Sequence, residues 1–502
     1  MELLSNIGLG LSVALSLSNL LYCLIGVLVG TLVGVLPGLG TTATLAILLP
    51  LTYQLDPTGS LIILAGIYYG AQYGGSTTAI LVNMPGEGTS VVTALDGYQM
   101  ARRGRAGAAL ASAALASFLA GTLATLVISV FGPLLAGAAL SFGPTEYFSL
   151  MVFGLTMSVV IASGSLVKAS AMVFLGLLLG AIGTDIETGA QRMTFGLLDL
   201  YDGVEFAVVA VGLYGIAEIL SNLEGKQQRS ILSEKLSNLW PSKDDFRRGT
   251  PAALRGSVLG SILGILPGNG AVLAPFLSYV TEKTLSKHPD EFGKGAVEGV
   301  AGPEAANNAA AQTAFIPMLT LGIPPNAVMA VMIGAMMIQG LVPGPQVMSS
   351  KPDLFWGLVA SMWIGNIMLL IINLPLIGIW VQLLRVPFRL LFPAIILICF
   401  IGVFSLRNST FDVAMVGVFG FLGYAMVKFG FERTPFVIAF ILGDLMEEKL
   451  RQALLIGRGD LTVFVRSPIS LVLLIMAAGM IALCFLPSVR RRREEAMADE
   501  DG

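Results

Sequence analysis

The chain has 502 residues and a formal net charge of −3, and its charged share of 12% is about half of the roughly 25% usual in soluble domains. So few charges cannot cover a water-soluble globule of this size, and a mean hydropathy of +0.82 indicates a polytopic protein embedded in a lipid bilayer. The negative net charge argues against a nucleic-acid partner, and one histidine with three cysteines in apolar runs argues against a zinc centre or a hydrolytic triad.

Apolar segments follow one another along the chain, and most approach the roughly 20 residues that a membrane-spanning helix needs. A short amphipathic or interfacial helix is predicted first, over 5–18. The segments 41–52, 271–281 and 434–446 are too short to span, so we expect re-entrant arms or half-helices there. The longer predicted segments are 19–36, 60–83, 107–137, 145–162, 166–184, 203–222, 252–266, 296–320, 326–342, 354–383, 388–405, 411–428 and 468–486.

Polar stretches divide these segments into two halves. The longest, 223–251, carries six Lys and Arg residues and is predicted to be a cytoplasmic linker, because cytoplasmic loops are enriched in these residues. It separates a first transmembrane half, 1–222, from a second one, 252–486. A charged tail, 487–502, follows the second half.

The two halves share an internal repeat. The peptide GTLVGVLPGLG (30–40) returns 230 residues later as GSILGILPGNG (260–270), with six of eleven positions identical. The loop after the first copy, 53–60, carries only Asp56, whereas the loop after the second, 281–295, carries three lysines. The positive-inside rule therefore makes the copies enter the membrane from opposite sides. We predict an all-α polytopic membrane protein of two inverted-topology repeats with broken or re-entrant helices and about 10–12 transmembrane segments.

The repeated motif suggests an anion site. Proline removes a backbone donor and glycine permits unusual backbone angles, so each copy should break its segment inside the membrane. The half-helix after each break offers free N–H groups and a positive dipole end, which bind an anion without arginine. The peptide GGSTTAILVNMPGEG (74–88) adds hydroxyls and an amide, although such residues also serve ordinary helix packing. The predicted substrate-binding residues are Gly38, Gly40, Thr41, Thr42, Ser76, Thr77, Thr78, Asn83, Gly268, Asn269 and Gly270.

A second cluster indicates a cation site. In GPEAANNAAAQTA (302–314), Glu304, Asn307 and Asn308 share one region of a helix surface. A carboxylate inside a membrane is costly and usually functional, and with two amide oxygens beside it this one can bind Na⁺ or carry a proton. The alternative is a loop-end glutamate satisfied by a helix N-terminus.

Seven peptides of the chain match a known family in order. They are GVLPGLG (34–40), GGSTTAILVNMPGEG (74–88), ARRGRAGAAL (101–110), GILPGNG (264–270), FGKGAVEGVAGPEAANNAAA (292–311), LGIP (321–324) and GLVPGP (340–345). On these residues the chain resembles the large membrane subunit of the tripartite tricarboxylate transporter family.

The resemblance implies a multi-pass secondary transporter of the bacterial inner membrane, working by alternating access. It implies uptake of citrate-like tricarboxylates or related carboxylates, driven by a Na⁺ or H⁺ gradient, with no cofactor besides the coupling cation. The implied partners are a small membrane subunit and a periplasmic solute-binding protein. The chain departs from the family pattern at Asn269, at 312–313 and at Pro325, which leaves the identity of the carboxylate open.

Two other functions remain as alternatives. A polytopic membrane enzyme acting on lipids would need a nucleophile or base with perturbed surroundings, and the sequence offers no such constellation, so we expect no enzymatic activity. A channel-like component would not require paired broken helices. ATP-driven transport is disfavoured because the sequence lacks a phosphate-binding G-x-x-x-x-G-K-[ST] loop.

Overall fold

The computed structural model describes residues 2–36, 40–84, 86–162, 165–185, 187–224, 240–266, 270–383 and 388–484. Within these ranges the chain is almost entirely α-helical, apart from a minimal β-hairpin that pairs Gly183–Thr184 (β1) with Gln191–Arg192 (β2). The predicted all-α membrane fold is therefore confirmed. Six of the described helical stretches are long and apolar enough to cross a membrane, namely Leu17–Val35, Gly88–Ala139, Pro144–Ile161, Phe206–Glu224, Pro352–Asn373 and Thr410–Lys428.

Helices of the first half begin where the sequence supplies caps. Ser16 and Asp56 accept hydrogen bonds from the backbone N–H groups of Asn19 and Gly59, which starts the second and fourth helices. The helices are α1 (Glu2–Ala14), α2 (Leu17–Val35), α3 (Thr41–Thr52), α4 (Pro57–Val82), α5 (Val91–Met100), α6 (Ala106–Ala139), α7 (Pro144–Ile161), α8 (Leu166–Gly180), α9 (Phe206–Ala210) and α10 (Ala217–Glu224).

The second half opens on a helix that Ser242 caps, by accepting from the N–H of Asp245 at 3.1 Å. Its helices are α11 (Lys243–Ile265), α12 (Gly270–Leu285), α13 (Glu298–Thr313), α14 (Phe315–Leu321), α15 (Ala327–Ile338), α16 (Gln346–Ser350), α17 (Pro352–Asn373), α18 (Ile377–Leu383), α19 (Phe388–Arg407), α20 (Thr410–Lys428), α21 (Arg433–Ile456), α22 (Val463–Arg466) and α23 (Pro468–Cys484).

Two sequence-based boundaries need correction. The segment 434–446 is part of a longer helix, because α21 continues to Ile456 through a charged stretch whose Arg451 pairs with Asp185 at 2.9 Å. The segment 354–383 is two helices, since Pro375 lies in the break between α17 and α18. The predicted linker 223–251 overlaps the first turns of α11, and 225–239 lie outside the described residues.

Helix α6 sets a scale for depth in the molecule. Its 34 residues span about 51 Å at 1.5 Å per residue, which is long enough to place its two ends on opposite sides of a hydrocarbon core of about 30 Å. Just before α6, Arg105 Nη2 lies 2.6 Å from Asp245 Oδ1 at the start of α11. Nearby, Asp96 Oδ1 accepts from the N–H of Gly295 at 2.6 Å. The loops before α11 and α13 therefore lie at this end, the Arg105 end.

Ion-pair chemistry at the Arg105 end favours the charged form of Asp245. Partial burial alone would raise the pKa of Asp245, but hydrogen bonds from Arg105 and Ser242 outweigh it and hold that pKa below its usual range. The contact fastens the first half to the second.

The other end of α6, the Ala139 end, gathers a different set of loops. Gly132 of α6 faces the ring of Phe355 at the start of α17, and Gly357 lies against Thr58 at the start of α4. Gln339 Nε2 donates to the carbonyl of Thr52, 3.3 Å away. The loop between α3 and α4 therefore lies at the Ala139 end.

The two copies of the repeat form two hairpins that enter from opposite ends of α6. The first hairpin, α2 and α3, starts and finishes at the Ala139 end. The second hairpin, α11 and α12, starts and finishes at the Arg105 end. This arrangement supports the inverted-topology repeat, which stays a prediction together with the domain boundaries and the number of spans.

Glycines at the same repeat positions pack the first arm of each hairpin onto a parallel helix. A methyl group at any of them would collide with a backbone carbonyl of the neighbouring helix, so only glycine permits the approach. In the first hairpin the contacts are Gly26 with Ile63, Gly30 with Ile67 and Gly34 with Ala71. In the second they are Gly256 with Gly302, Gly260 with Ala306 and Gly264 with Ala310.

Candidate functional site

A buried carboxylate lies where the two halves meet. Glu304 on α13 is fully buried, and its carboxylate accepts hydrogen bonds from three hydroxyls of the first half. Ser76 Oγ of α4 donates at 2.6 Å, Thr93 Oγ1 of α5 donates to the other oxygen, and Ser117 Oγ of α6 lies at 3.4 Å. None of the ion pairs among the described residues involves this carboxylate, so hydroxyl dipoles alone face its charge.

Two amides beside Glu304 have unused hydrogen-bonding capacity. Asn308 Nδ2 donates to Ser117 Oγ at 2.7 Å, but its Oδ1 has no partner among the described residues. Asn307, only 1% exposed, has no partner at either amide atom within the part of the chain that the structure describes. Buried polar atoms are normally paired, so three amide atoms without a partner among the described residues, on the helix turn after Glu304, are a signal of a candidate binding site. The predicted cation-binding residues are thus together, and what they bind stays a prediction.

The helical wheel of α13 relates this site to the second hairpin. Ala306 and Ala310 of α13 pack with Ala271 and Ala274 of α12. At 100° per residue, Asn307 lies between that face and the face that carries Glu304. Asn307 is therefore the member of the cluster nearest to the second half-helix.

The N-terminus of the first half-helix already holds a carboxylate. Glu87 Oε1 accepts from the backbone N–H of Thr41 at 2.9 Å and also from the Thr41 hydroxyl. The loop that carries Glu87 is wedged against the first hairpin, since a methyl group at Gly86 would collide with the carbonyl of Gly34. A carboxylate at this position is favoured by the helix dipole, and the N–H of Thr41 is not free.

The other predicted substrate residues have varied surroundings. Thr78 donates to the carbonyl of Gly75 at 2.9 Å, as a packing residue does, and Asn83 ends α4 in a left-handed conformation with an exposed side chain. Open space surrounds the α-carbon of Gly40. Thr42 lies half-buried in the first turn of α3, Thr77 is buried in α4, and Gly270 begins α12. Gly38, Gly268 and Asn269 lie outside the described residues.

The second hairpin carries a charge pair across its arms. Glu282 of α12 is 1% exposed, and its Oε1 accepts from Arg255 Nε of α11 at 2.8 Å. The pair holds the return arm against the entering arm near the Arg105 end.

Three functional side chains escaped the sequence analysis. Thr93 and Ser117 lie in apolar helices whose hydroxyls look like packing material, so nothing in the sequence links them to Glu304. Glu87 was within the quoted peptide MPGEG, and an acidic residue directly after a Pro-Gly break was the signal available for it.

Comparison with known proteins places the chain among transport proteins. Residues 20–438 match the family model described as the tripartite tricarboxylate transporter TctA family. An uncharacterized 52.8 kDa protein from the TAR-I ttuC' 3' region of Agrobacterium vitis is 56% identical over 501 residues, covering 100% of both chains. An uncharacterized protein from the TAR-II ttuC' 3' region of the same organism is 55% identical over 242 residues, which is 48% of this chain and 100% of that one. No solved structure matches the chain.

Proposed function

The chain belongs to the tripartite tricarboxylate transporter TctA family, and from this premise we propose that it is the large membrane subunit of a cation-driven carboxylate importer. In detail, the proposed activity is uptake of citrate-like or related carboxylates by alternating access across the bacterial inner membrane. A small membrane subunit and a periplasmic solute-binding protein complete the system. The observation that carries the proposal is Glu304, a buried carboxylate between two oppositely entering hairpins that has no counter-charge among the described residues.

The driving cation occupies the region of Glu304, Asn307 and Asn308. A buried carboxylate without a cation is costly, and the hydroxyls of Ser76 and Thr93 offset only part of that cost. Na⁺ or H⁺ supplies the missing positive charge. Because Glu304 belongs to the second half and its donors to the first, binding of the cation changes the free energy of the contact between the halves.

The substrate carboxylate binds at the inner ends of the hairpins. One helix N-terminus is worth about 0.3–2 kcal/mol, too little to offset desolvation of a polyanion, so two helix ends and the bound cation act together. Glu87 holds the N–H of Thr41 while the site is empty and leaves it when a substrate carboxylate arrives. The weak intrinsic affinity of such a site explains the need for a binding protein that delivers the substrate.

Reconstitution tests the proposal. The chain, its small membrane subunit and its solute-binding protein are placed in proteoliposomes, and uptake of radiolabelled citrate and a panel of di- and tricarboxylates is measured. We expect uptake that needs the binding protein and an inward gradient of Na⁺ or H⁺. Uptake of no carboxylate under any gradient, or uptake that needs no gradient, contradicts the proposal.

A further inference from the structure

A small polar cleft reaches the hydroxyls that hold Glu304. Its polar lining is Tyr73, Ser76, Thr77, Ser117 and Asn373, and two of these side chains, Ser76 and Ser117, also contact the Glu304 carboxylate. The rest of the lining is apolar, from Leu110, Ala113, Ala114 and Ile377. The cleft therefore adjoins the candidate cation site through Ser76 and Ser117.

Asn373 lines this cleft and has an amide oxygen without a partner among the described residues. The residue is 5% exposed, and its Nδ2 donates to the carbonyl of Leu369 at 2.9 Å, while its Oδ1 has no partner among the described residues. A buried amide oxygen without a donor costs free energy unless something positive approaches it. One of the two N–H donors of the Asn373 amide is already committed to Leu369, and its oxygen is an acceptor that a cation can use.

The backbone beside the cleft also favours a positively charged ligand. Asn373 is the last residue of α17, and Pro375 separates α17 from α18, whose first residue Ile377 also lines the cleft. The C-terminal end of a helix is its negative pole, and broken helices expose carbonyls that coordinate Na⁺ in secondary transporters. Irregular backbone at membrane depth is tolerated where it lines a polar cavity.

The depth of the cleft along α6 can be compared with the depth of Glu304. Ala113 and Ala114 of α6 line it, and they lie about 10–12 Å along α6 from the Arg105 end at 1.5 Å per residue. Ser117 lies deeper by about one turn. A cation that leaves Glu304 toward the Arg105 end therefore meets this cleft first.

We infer that the cleft is a second binding site for Na⁺, between Glu304 and the Arg105 end, with Asn373 Oδ1 as its amide ligand. The inference rests on the proposed cation-driven function and makes the driving ion Na⁺, because an amide oxygen coordinates a metal cation but does not relay a proton. Asn373 is then a binding residue for the ion, and Thr77 contributes a hydroxyl on the opposite wall.

The test measures Na⁺ binding without any transported substrate. Thermal unfolding of the purified full chain in detergent is followed as NaCl replaces choline chloride at constant ionic strength, since a ligand that binds only the folded state raises its melting temperature. We expect a saturable rise for the wild type. Asn373→Leu should raise the half-saturating Na⁺ concentration at least tenfold, equivalent to about 1.4 kcal/mol, and Asn373→Asp should keep it or lower it.

Asn19→Leu is the matched control. Asn19 is also a buried asparagine whose Nδ2 donates to a backbone carbonyl and whose Oδ1 has no partner in the described ranges, but it lies at the start of α2. A wild-type dependence of the melting temperature on Na⁺ in Asn373→Leu would overturn the second binding site. An equal loss of Na⁺ dependence in Asn19→Leu would overturn it as well. If Asn373→Leu keeps the response and Glu304→Gln loses it, the cleft is wrong and the Glu304 site stands. Equal melting in Na⁺ and choline for the wild type overturns the Na⁺ assignment, whereas carboxylate uptake driven by H⁺ would still support the proposed function.

Discussion

The first and second hairpins pack alike and carry different chemistry. In both, glycines spaced by four residues seat the entering arm on the carbonyls of a parallel helix, with Gly30 against Ile67 and Gly260 against Ala306. Each of the three glycine contacts of the first hairpin has a counterpart in the second. The contacted residues of α13 are numbered 239 higher than those of α4. Close backbone approach is the part of the repeat that both halves keep.

The same correspondence shows where the halves diverge. Glu304 of α13 corresponds to Ala65 of α4, and Asn308 corresponds to Tyr69, both of which are buried. One half therefore places a carboxylate and an amide where the other places a methyl group and an aromatic ring. The comparison teaches that packing is duplicated, while the carboxylate and amides of the candidate cation site belong to the second half and its hydroxyls to the first.

In the loops after α4 and α14, the carboxylate is found in the first half and the amide in the second. Asn83 and Gly322 correspond, and both end their helices in the left-handed conformation. Four residues later, Glu87 in the first half corresponds to Asn326 in the second, which accepts from the N–H of Met329 at 2.9 Å. The carboxylate that occupies a half-helix N-terminus therefore belongs to the first half.

The largest expected effect concerns the sides from which the hairpins enter. Gln54→Cys and Lys287→Cys put a thiol in each of two exposed loops, while Cys23, Cys399 and Cys484 are buried. In sealed vesicles of known orientation, we expect a membrane-impermeant maleimide to label one variant from outside and the other only after permeabilisation. Labelling of both from the same side would break the comparison of inverted hairpins.

The next effect concerns the shared packing. Gly30→Val and Gly260→Val each force a side chain into a backbone carbonyl, and overpacking of this kind costs typically about 1–3 kcal/mol or more. We expect both variants to melt at clearly lower temperatures and by similar amounts. Gly137→Ala, in α6 with open space around it, is the control and should be neutral or slightly stabilising. Normal melting of either valine variant would mean that its hairpin packs differently.

A smaller effect concerns the carboxylate at the first half-helix. Glu87→Gln keeps an acceptor for the N–H of Thr41 but removes a negative charge that competes with the substrate. A charge at a helix end is worth about 0.3–1 kcal/mol, so the KM for carboxylate uptake should fall about two- to fivefold. Asn326→Asp adds a charge at the corresponding place in the second half and should leave KM unchanged. An increased KM in Glu87→Gln would make Glu87 a contact that helps substrate binding.

How far the sequence predicts this molecule depends on the range of the interactions. The half-helix over 41–52 and the break after Leu36 follow from local chemistry, and the structure describes the helix as Thr41–Thr52. The cluster of Glu304, Asn307 and Asn308 was visible because its members are helical neighbours. The partners Ser76, Thr93 and Ser117 come from three other helices, and their choice depends on tertiary packing that no local pattern encodes. The apolar run 434–446 is shorter than the helix that contains it, because α21 continues to Ile456 through charged residues whose partners, such as Asp185 for Arg451, are distant in sequence.

The central claim is that Glu304 makes transport respond to the cation. Gradient-driven uptake by Glu304→Gln in proteoliposomes tests it most directly, with Glu298→Gln as a control on the same helix, where the carboxylate pairs with Arg248 at 2.8 Å. We predict that Glu304→Gln folds but shows no acceleration of carboxylate uptake by an inward Na⁺ or H⁺ gradient, and that Glu298→Gln keeps the acceleration. Wild-type acceleration in Glu304→Gln would contradict the account.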